Sequence, residues 1–170
     1  MSVHFILGGA RSGKSRLAEG LVLGTGLAPV YLATGQAFDA EMEARIAEHQ
    51  ARRPAPWVTV DAPLDLPGAI TREAGESRAL LVDCLTLWLT NLMMAEADIA
   101  AETQRLCDVL RQPPPGFLAL VSNEVGLSIV PENALARRFR DEAGRLHQQV
   151  AALASKVTFV AAGLPLQLKG

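Results

Sequence analysis

The stretch GGARSGKS at residues 8–15 decides the fold of this chain. Gly8, Gly13, Lys14 and Ser15 satisfy the P-loop pattern G-x-x-x-x-G-K-S, whose glycines let successive backbone N–H groups converge on phosphate oxygens. Apolar residues before the stretch predict a strand, and helical spacing after it predicts a helix, as a P-loop requires. The sequence therefore predicts a phosphate-binding loop here; a glycine-rich turn that matches by chance is the alternative.

The polar residues of this loop have distinct expected roles. Lys14 is placed to reach the β and γ phosphates of a nucleotide, and Ser15 to put a hydroxyl on Mg²⁺. The usual second ligand is a carboxylate that follows a hydrophobic strand, and Asp83 follows the apolar residues 79–82. The alternative for Asp83 is the N-cap of the next helix. Arg11 lies either on a phosphate or in solvent.

Strand and helix patterns alternate along the whole chain. Strands are predicted at residues 3–7, 29–33, 57–60, 79–82, 117–121 and 157–161, and helices at 15–23, 39–52, 64–73, 85–94, 98–111 and 134–155. The last residues are expected to be a short tail. This alternation, with several uniformly apolar strands, predicts an α/β fold whose mainly parallel sheet is flanked by helices. Ligands then belong at the carboxyl ends of the strands.

Length and composition limit the remaining possibilities. The 170 residues, 49% of them apolar and 20% charged, predict one folded domain, residues 1–170. Lys plus Arg number 16 against 18 Asp plus Glu, and this net charge of −2 disfavours nucleic acid or an acidic membrane as the partner. Cys84 and Cys107 lie among apolar residues and are predicted to be core thiols of a reducing compartment. Without a signal-peptide or transmembrane pattern, a cytoplasmic location is expected.

His49 is the histidine whose sequence neighbours suggest chemistry. In the predicted helix, Arg45 and Arg52 fall on or near its face. Positive neighbours disfavour the imidazolium and keep the ring neutral and nucleophilic, while their guanidinium groups suit the phosphates of a nucleotide. A phosphohistidine-type intermediate is therefore chemically reasonable. Met42 and Ile46 also lie at helical offsets, so a partly buried histidine beside the core is the alternative.

Four stretches together resemble one family of cobalamin biosynthesis, the bifunctional adenosylcobinamide kinase and adenosylcobinamide-phosphate guanylyltransferases. The stretches are GGARSGKS at 8–15, EMEARIAEHQARRP at 41–54, DCLTLWLTNL at 83–92 and SNEVGLSIVPENALARRFRD at 122–141. The resemblance runs from the first strand nearly to the carboxyl terminus. Its NEVG-x-x-IVPEN segment is far more specific than the P-loop, which unrelated nucleotide enzymes share.

The resemblance implies a RecA-like P-loop NTPase fold and two activities. Family members phosphorylate adenosylcobinamide with ATP or GTP, then transfer GMP from GTP to the phosphate, giving adenosylcobinamide-GDP and pyrophosphate. The transfer proceeds through a guanylylated histidine, which the match of EMEARI-x-x-H places at His49. Glu48 stands where some relatives carry a first histidine. Mg²⁺ or a similar divalent cation and a homotrimer are also implied.

The same match assigns site residues throughout the chain. His49 and Lys14 are the implied catalytic residues, and Ser15 and Asp83 the implied metal ligands. Gly35 replaces a serine common in the family, so no side-chain contact is expected there. The implied nucleotide contacts are Gly8, Gly9, Ala10, Arg11, Ser12, Gly13, Lys14, Ser15, Ala33, Thr34, Gly35, Gln50, Ala51, Arg52, Arg53, Asp61 and Asp83.

Several polar residues keep two interpretations. Asn123 and Glu124 follow a predicted strand and are placed to orient substrate or metal, although Glu124 alternatively braces the loop. His4 and His147 have no reactive neighbours in sequence and are predicted to be structural. For the whole chain, one rival function is a single-function P-loop kinase in which His49 is structural. Another is a RecA-like ATPase module that binds nucleic acid or a partner protein, which the net charge disfavours.

Overall fold

A computed structural model describes residues 2–36, 54–113 and 115–170. Within these ranges the strands are β1 (Ser2–Gly8), β2 (Ala28–Ala33), β3 (Val58–Asp61), β4 (Arg78–Asp83), β5 (Phe117–Asn123), β6 (Lys156–Ala161) and β7 (Leu164–Lys169). The helices are α1 (Lys14–Leu23), α2 (Leu66–Glu73), α3 (Leu85–Met94), α4 (Ile99–Arg111) and α5 (Ala134–Leu153). The predicted helix at 39–52, with His49, Gln50, Ala51, Arg52 and Arg53, lies outside the described residues.

The strands form one sheet in the order β3-β2-β4-β5-β1-β6-β7. Every pairing among β1 to β6 is parallel, and β7 alone runs antiparallel to its neighbour β6. The prediction of a mainly parallel sheet with helices on its faces is confirmed. Because parallel strands end at the same edge, the loops after β1, β2, β4 and β5 meet at one end of the sheet.

Each face of the sheet has its own hydrophobic cluster. Along β4, Leu80 and Val82 point to the side covered by α2 to α5, whereas Ala79 and Leu81 point to the side covered by α1. All four are fully buried, which explains why this strand is a continuous apolar run in the sequence. The sheet therefore lies between two helical layers, and in an open parallel sheet of this kind the carboxyl edge is where ligands bind.

The carboxyl-terminal strand β7 was not predicted. Leu164, Leu166 and Leu168 alternate as in a strand, but all six residues of β7 are exposed, and the segment includes Pro165. A short edge strand without a buried face gives little hydrophobic signal, so the sequence indicates only a tail. The hairpin with β6 turns at Gly163, whose φ of 78° suits glycine.

Buried side chains outside the sheet edge mostly follow the predictions. Cys84 and Cys107 are both free and buried, which confirms them as core thiols. His4 is buried and its Nε2 lies 2.8 Å from the hydroxyl of Thr158, consistent with a structural role. In the described residues, no helix combines the length and apolarity that crossing a membrane requires.

Candidate nucleotide-binding site

The P-loop connects β1 to α1 in a conformation that depends on its glycines. Gly13 caps α1 with a φ of 95°, and a Cβ there would lie 3.2 Å from the Cα of Gly163. At Gly8 a Cβ would lie only 2.5 Å from both the Ser12 hydroxyl and the carbonyl oxygen of Val160. Both positions therefore need glycine, one for its backbone conformation and the other for space. By contrast, a Cβ at Gly9 would meet nothing within 4 Å.

Lys14 is the buried cation of this loop. Only 7% of the residue is exposed, and its Nζ donates a hydrogen bond to the Gly9 carbonyl at 2.9 Å. Burial lowers the pKa of Lys14, while the negative charge of Asp83 works in the opposite direction. An anionic phosphate beside Nζ would compensate the desolvated charge.

Ser12 has a buried hydroxyl with an unused hydrogen-bonding capacity. In the described ranges, its Oγ is the one buried side-chain polar atom without a hydrogen-bond partner. Its backbone is held instead, because the carbonyl of Ser12 accepts from Gly163 N at 2.8 Å. A buried polar atom without a hydrogen-bond partner is uncommon in a folded protein. The P-loop therefore has at least one polar group that could still form a hydrogen bond.

Asp83 ends β4 at the centre of the carboxyl edge. In the sheet register it lies opposite Ala33 of β2 and Val121 of β5. The N-cap of α3 is Cys84, in an extended conformation, so the alternative of Asp83 as helix cap is wrong. Because β4 continues through Asp83, its carboxylate stays at the sheet edge, near enough to influence the charge of Lys14.

The residues after β2 and β3 lie at the same edge in different environments. Ala33 pairs with Asp61, which is exposed at the end of β3, and Gly35 is half-buried. Thr34 is fully buried, and its hydroxyl both donates to the Cys84 carbonyl and accepts from Cys84 N, each at 2.8 Å. Its own carbonyl accepts from Asn91 Nδ2 at 2.6 Å. The structure thus gives Thr34 a bracing role between β2 and α3.

Asn123 is held by a polar network that the sequence did not predict. The Asn123 amide donates to Thr86 Oγ1 at 3.0 Å, and the same hydroxyl lies 3.1 Å from the Cys84 sulfur. Burial raises the pKa of the Cys84 thiol to about 11, and Asp83 adds to the rise, so the thiol stays protonated at neutral pH. The only sequence signal for Thr86 was a polar residue within the apolar run DCLTLWL.

An open cavity of about 1310 Å³ extends from the P-loop between α1, α3 and the end of β5. Its described wall includes three cationic side chains, Arg11, Lys14 and Arg16, and one carboxylate, Glu124. Arg11 is exposed in a left-handed conformation with a φ of 54°. A wall with this excess of positive charge suits a polyanion such as a nucleoside triphosphate. Asn123 and Phe139 also line this cavity.

Glu124 is both a wall residue and a brace. Its backbone N–H donates to the Gly8 carbonyl at 3.0 Å, and its Oε1 accepts from Gly126 N at 2.5 Å. The other oxygen, Oε2, lies 4.0 Å from Nδ1 of the buried His147. Nε2 of that ring lies 2.7 Å from the hydroxyl of Ser122. His147 therefore has polar partners in space that its position in the sequence did not reveal.

Comparison with protein families gives a match over residues 4–168 to the model described as cobinamide kinase / cobinamide phosphate guanyltransferase. The chain is 55% identical over 167 residues to the bifunctional adenosylcobalamin biosynthesis protein CobP of Pseudomonas aeruginosa, covering 97% of this chain and 96% of the relative. It is 42% identical over 180 residues to CobU of Salmonella typhimurium, covering 96% of this chain and 98% of the relative. CobU of Escherichia coli is 41% identical over 179 residues, with the same coverage.

Solved structures share the fold at much lower identity. The flagellar accessory protein FlaH from Methanocaldococcus jannaschii superposes with a TM-score of 0.55 at 13% identity, covering 99% of this chain and 78% of that one. The RadB recombinase gives a TM-score of 0.54 at 17% identity, with coverages of 93% and 73%. At such identities the likeness concerns the fold alone. It confirms the predicted RecA-like P-loop architecture.

Proposed function

Because this chain belongs to the cobinamide kinase / cobinamide phosphate guanyltransferase family, we propose that it carries out both reactions in sequence at one nucleotide site. The first reaction transfers the γ phosphoryl group of ATP or GTP to a hydroxyl of adenosylcobinamide. The second transfers GMP from GTP to that phosphate and releases pyrophosphate. The observation that carries the proposal is the cation-lined cavity at the P-loop, in a chain that matches the family over residues 4–168.

Phosphoryl transfer in this site depends on positioning and charge neutralisation. The backbone N–H groups of residues 8–15 and the start of α1 provide donors for phosphate oxygens. Lys14 is held by the Gly9 carbonyl beside the same loop and neutralises charge on the β and γ phosphates. Catalysis then requires the acceptor hydroxyl opposite the leaving oxygen, in the cavity that Asn123 and Glu124 help to line.

The oxygen ligands at this edge suit a hard divalent cation such as Mg²⁺. Ser15 lies half-buried in the first turn of α1, and Asp83 stands at the end of β4 near Lys14. Among the described residues no group of three or more His, Cys, Asp or Glu forms a metal site, so nucleotide and water oxygens would supply the other ligands. When bound, such an ion neutralises the charge of the β and γ phosphates.

GMP transfer is assigned to His49 by the match to EMEARI-x-x-H. The neutral imidazole attacks the α phosphorus of GTP, and pyrophosphate leaves. The phosphate of the cobinamide then attacks the phosphorus, and the bond to the histidine breaks. Nucleotide contacts by Ala33, Gly35, Asp61 and residues 50–53, a trimeric assembly and a cytoplasmic location stay predictions of the same family resemblance.

The proposal is tested by supplying the purified protein with adenosylcobinamide, ATP, GTP and Mg²⁺. Mass spectrometry is expected to find adenosylcobinamide phosphate with ATP alone, and adenosylcobinamide-GDP once GTP is added. Formation of the phosphate without the GDP product would favour the single-function kinase. Absence of both products, in protein that binds GTP, would contradict the proposed function.

A further inference from the structure

Ser122, His147 and Glu124 form a polar chain that leads from the protein interior to the nucleotide cavity. Ser122 is fully buried on β5, and only 6% of His147, on α5, is exposed. The ring lies between the two other side chains: Nε2 is at hydrogen-bond distance, 2.7 Å, from Ser122 Oγ, and Nδ1 lies 4.0 Å from Glu124 Oε2. Glu124 is the member of the chain that lines the cavity.

The charge of Glu124 selects the tautomer of His147. Burial lowers the pKa of this histidine more than Glu124 raises it, so the ring is neutral and carries one N–H. A carboxylate near Nδ1 favours the proton on that nitrogen, which leaves Nε2 to accept from the Ser122 hydroxyl. Ser122 therefore fixes the ring, and the ring presents its N–H to Glu124.

The Glu124 carboxylate has a polar neighbour at each oxygen. One oxygen accepts from Gly126 N, and the other faces the His147 ring. Gly126 permits this contact, because a Cβ there would lie 2.9 Å from the carboxylate oxygen. The backbone of Glu124 is also bonded to Gly8, the first residue of the P-loop. In the described wall of the cavity no other side chain carries a carboxylate.

From this geometry, and resting on the function proposed above, we infer that Glu124 is the general base of the phosphoryl transfer and that His147 is its positioning residue. The acceptor hydroxyl oxygen bonds to the γ phosphorus, and the bond from that phosphorus to the bridging oxygen breaks. The nucleoside diphosphate leaves with the electron pair. The hydroxyl proton passes to the Glu124 carboxylate and then to water.

GMP transfer provides an internal control, because its acceptor is a phosphate that has no hydroxyl proton to lose. Glu124→Gln is expected to lower kcat of the kinase reaction by about 100-fold or more, the scale of general-base catalysis, with KM little changed. Glu124→Asp keeps a carboxylate and should recover part of the rate. In Glu124→Gln the kinase rate should fall far more than the rate of GMP transfer to supplied adenosylcobinamide phosphate, measured in the same sample.

Two matched substitutions of His147 distinguish its contact with Glu124 from its contact with Ser122. Asn carries its amide near the place of Nδ1, toward Glu124, whereas Gln carries it near the place of Nε2, toward Ser122. A positioning role predicts that His147→Gln lowers the kinase kcat by about tenfold more than His147→Asn, the scale of second-layer support. Both activities are proportional to the amount of folded protein in a sample, so the ratio of kinase to GMP-transfer activity does not depend on how much of each variant is folded.

The outcomes separate this inference from the proposed function. If wild type makes neither product, the proposed function fails. If wild type makes both and Glu124→Gln keeps the full kinase kcat, the general base is refuted while the function stands. If His147→Asn and His147→Gln change the activity ratio equally, the positioning role of His147 is refuted.

Discussion

Lys14 has opposite effects on folding and on the proposed binding of phosphate. Its charge is buried against the Gly9 carbonyl, a position that is unfavourable for an isolated ammonium group. The nearby negative charge of Asp83 partly offsets the cost of burying the Lys14 charge, and a phosphate would offset more of it. The positive charge of Lys14 is therefore only partly compensated in the free protein, and a bound nucleotide would compensate it further.

Lys14→Ala is expected to abolish both the kinase and the GMP-transfer activity, since each needs a held triphosphate. The loss should exceed about 100-fold, the effect of removing a charge-stabilising group from a phosphoryl-transfer site. Initial rates of both reactions and GTP binding measure the effect. Arg111→Ala, which removes a surface cation paired with Asp108, is the control. Normal GMP transfer by Lys14→Ala would instead indicate a separate nucleotide site.

His49→Ala is expected to remove the covalent intermediate. Wild-type protein incubated with α-labelled GTP and Mg²⁺ should retain label through an acid-labile, base-stable bond, as a phosphoramidate requires. His4→Gln, a change at a buried histidine outside the described cavity wall, should still retain label and serves as the histidine control. Label retained by His49→Ala would rule out His49 as the nucleophile.

Gly8 and Gly9 form a matched pair for the loop conformation. Gly8→Ala would place a Cβ against Ser12 and the backbone of Val160, so it should lower the free energy of unfolding by about 1–3 kcal/mol and weaken GTP binding. Gly9→Ala meets open space and should change stability by less than about 0.5 kcal/mol. Urea denaturation compares the two; equal stabilities would contradict the steric argument.

Among the helices and strands, the sequence pattern was sufficient to predict an element and its approximate ends where that element has a buried face. β1 to β6 and all the described helices were predicted to within a few residues, and α3 was predicted without error at either end. In the structure, the side chains of Asp98 and Asn133 accept N–H groups at the starts of α4 and α5 and fix where these helices begin. β7 has no buried face, so its sequence carries little hydrophobic pattern. Its pairing with β6 depends on a hairpin turn that the sequence pattern did not predict.

Lys169 links β7 to the end of α5 through a contact between two elements. Its Nζ donates to the carbonyls of Ala151 and Ala152, at 3.0 and 2.8 Å, where the helix leaves acceptors unpaired. Lys169→Met should lower the free energy of unfolding by about 0.3–1 kcal/mol, the range for a cation at a helix C-terminus. Urea denaturation measures this change in the free energy of unfolding, which should be smaller at high salt because salt screens the interaction. Lys156→Met in β6 is the control. A loss in the control equal to that in Lys169→Met would count against the cap.

For the whole molecule, the distribution of charge matters more than its sum. The net charge is −2, yet the described cavity wall carries three cations and one carboxylate. The P-loop and Asp83 could be predicted because a strand and a motif fix their place. The contacts of Thr34 and Thr86 and those within the Ser122–His147–Glu124 chain could not, since they join segments that only the parallel sheet brings together.

Acid is expected to destabilise the whole molecule through its buried histidines. Burial lowers the pKa of His4 and of His147, with Lys156 adding to the effect on His4. Below the unfolded value of about 6.5 the unfolded chain takes up protons that the folded histidines resist, so stability falls as the pH drops, until the folded pKa is passed. Urea denaturation at pH 7.5 and 5.5 measures the loss, which should be smaller in His4→Gln than in wild type. An equal loss would show that His4 does not contribute.

The contact of the β6–β7 turn with the P-loop joins the two ends of the chain at the site. Gly163 N donates to the Ser12 carbonyl, and the Gly163 Cα would lie 3.2 Å from a Cβ at Gly13. The turn that leads into the exposed strand β7 is therefore part of the frame of the P-loop. Engineers who shorten this scaffold or permute its termini would have to preserve that turn to keep a working enzyme.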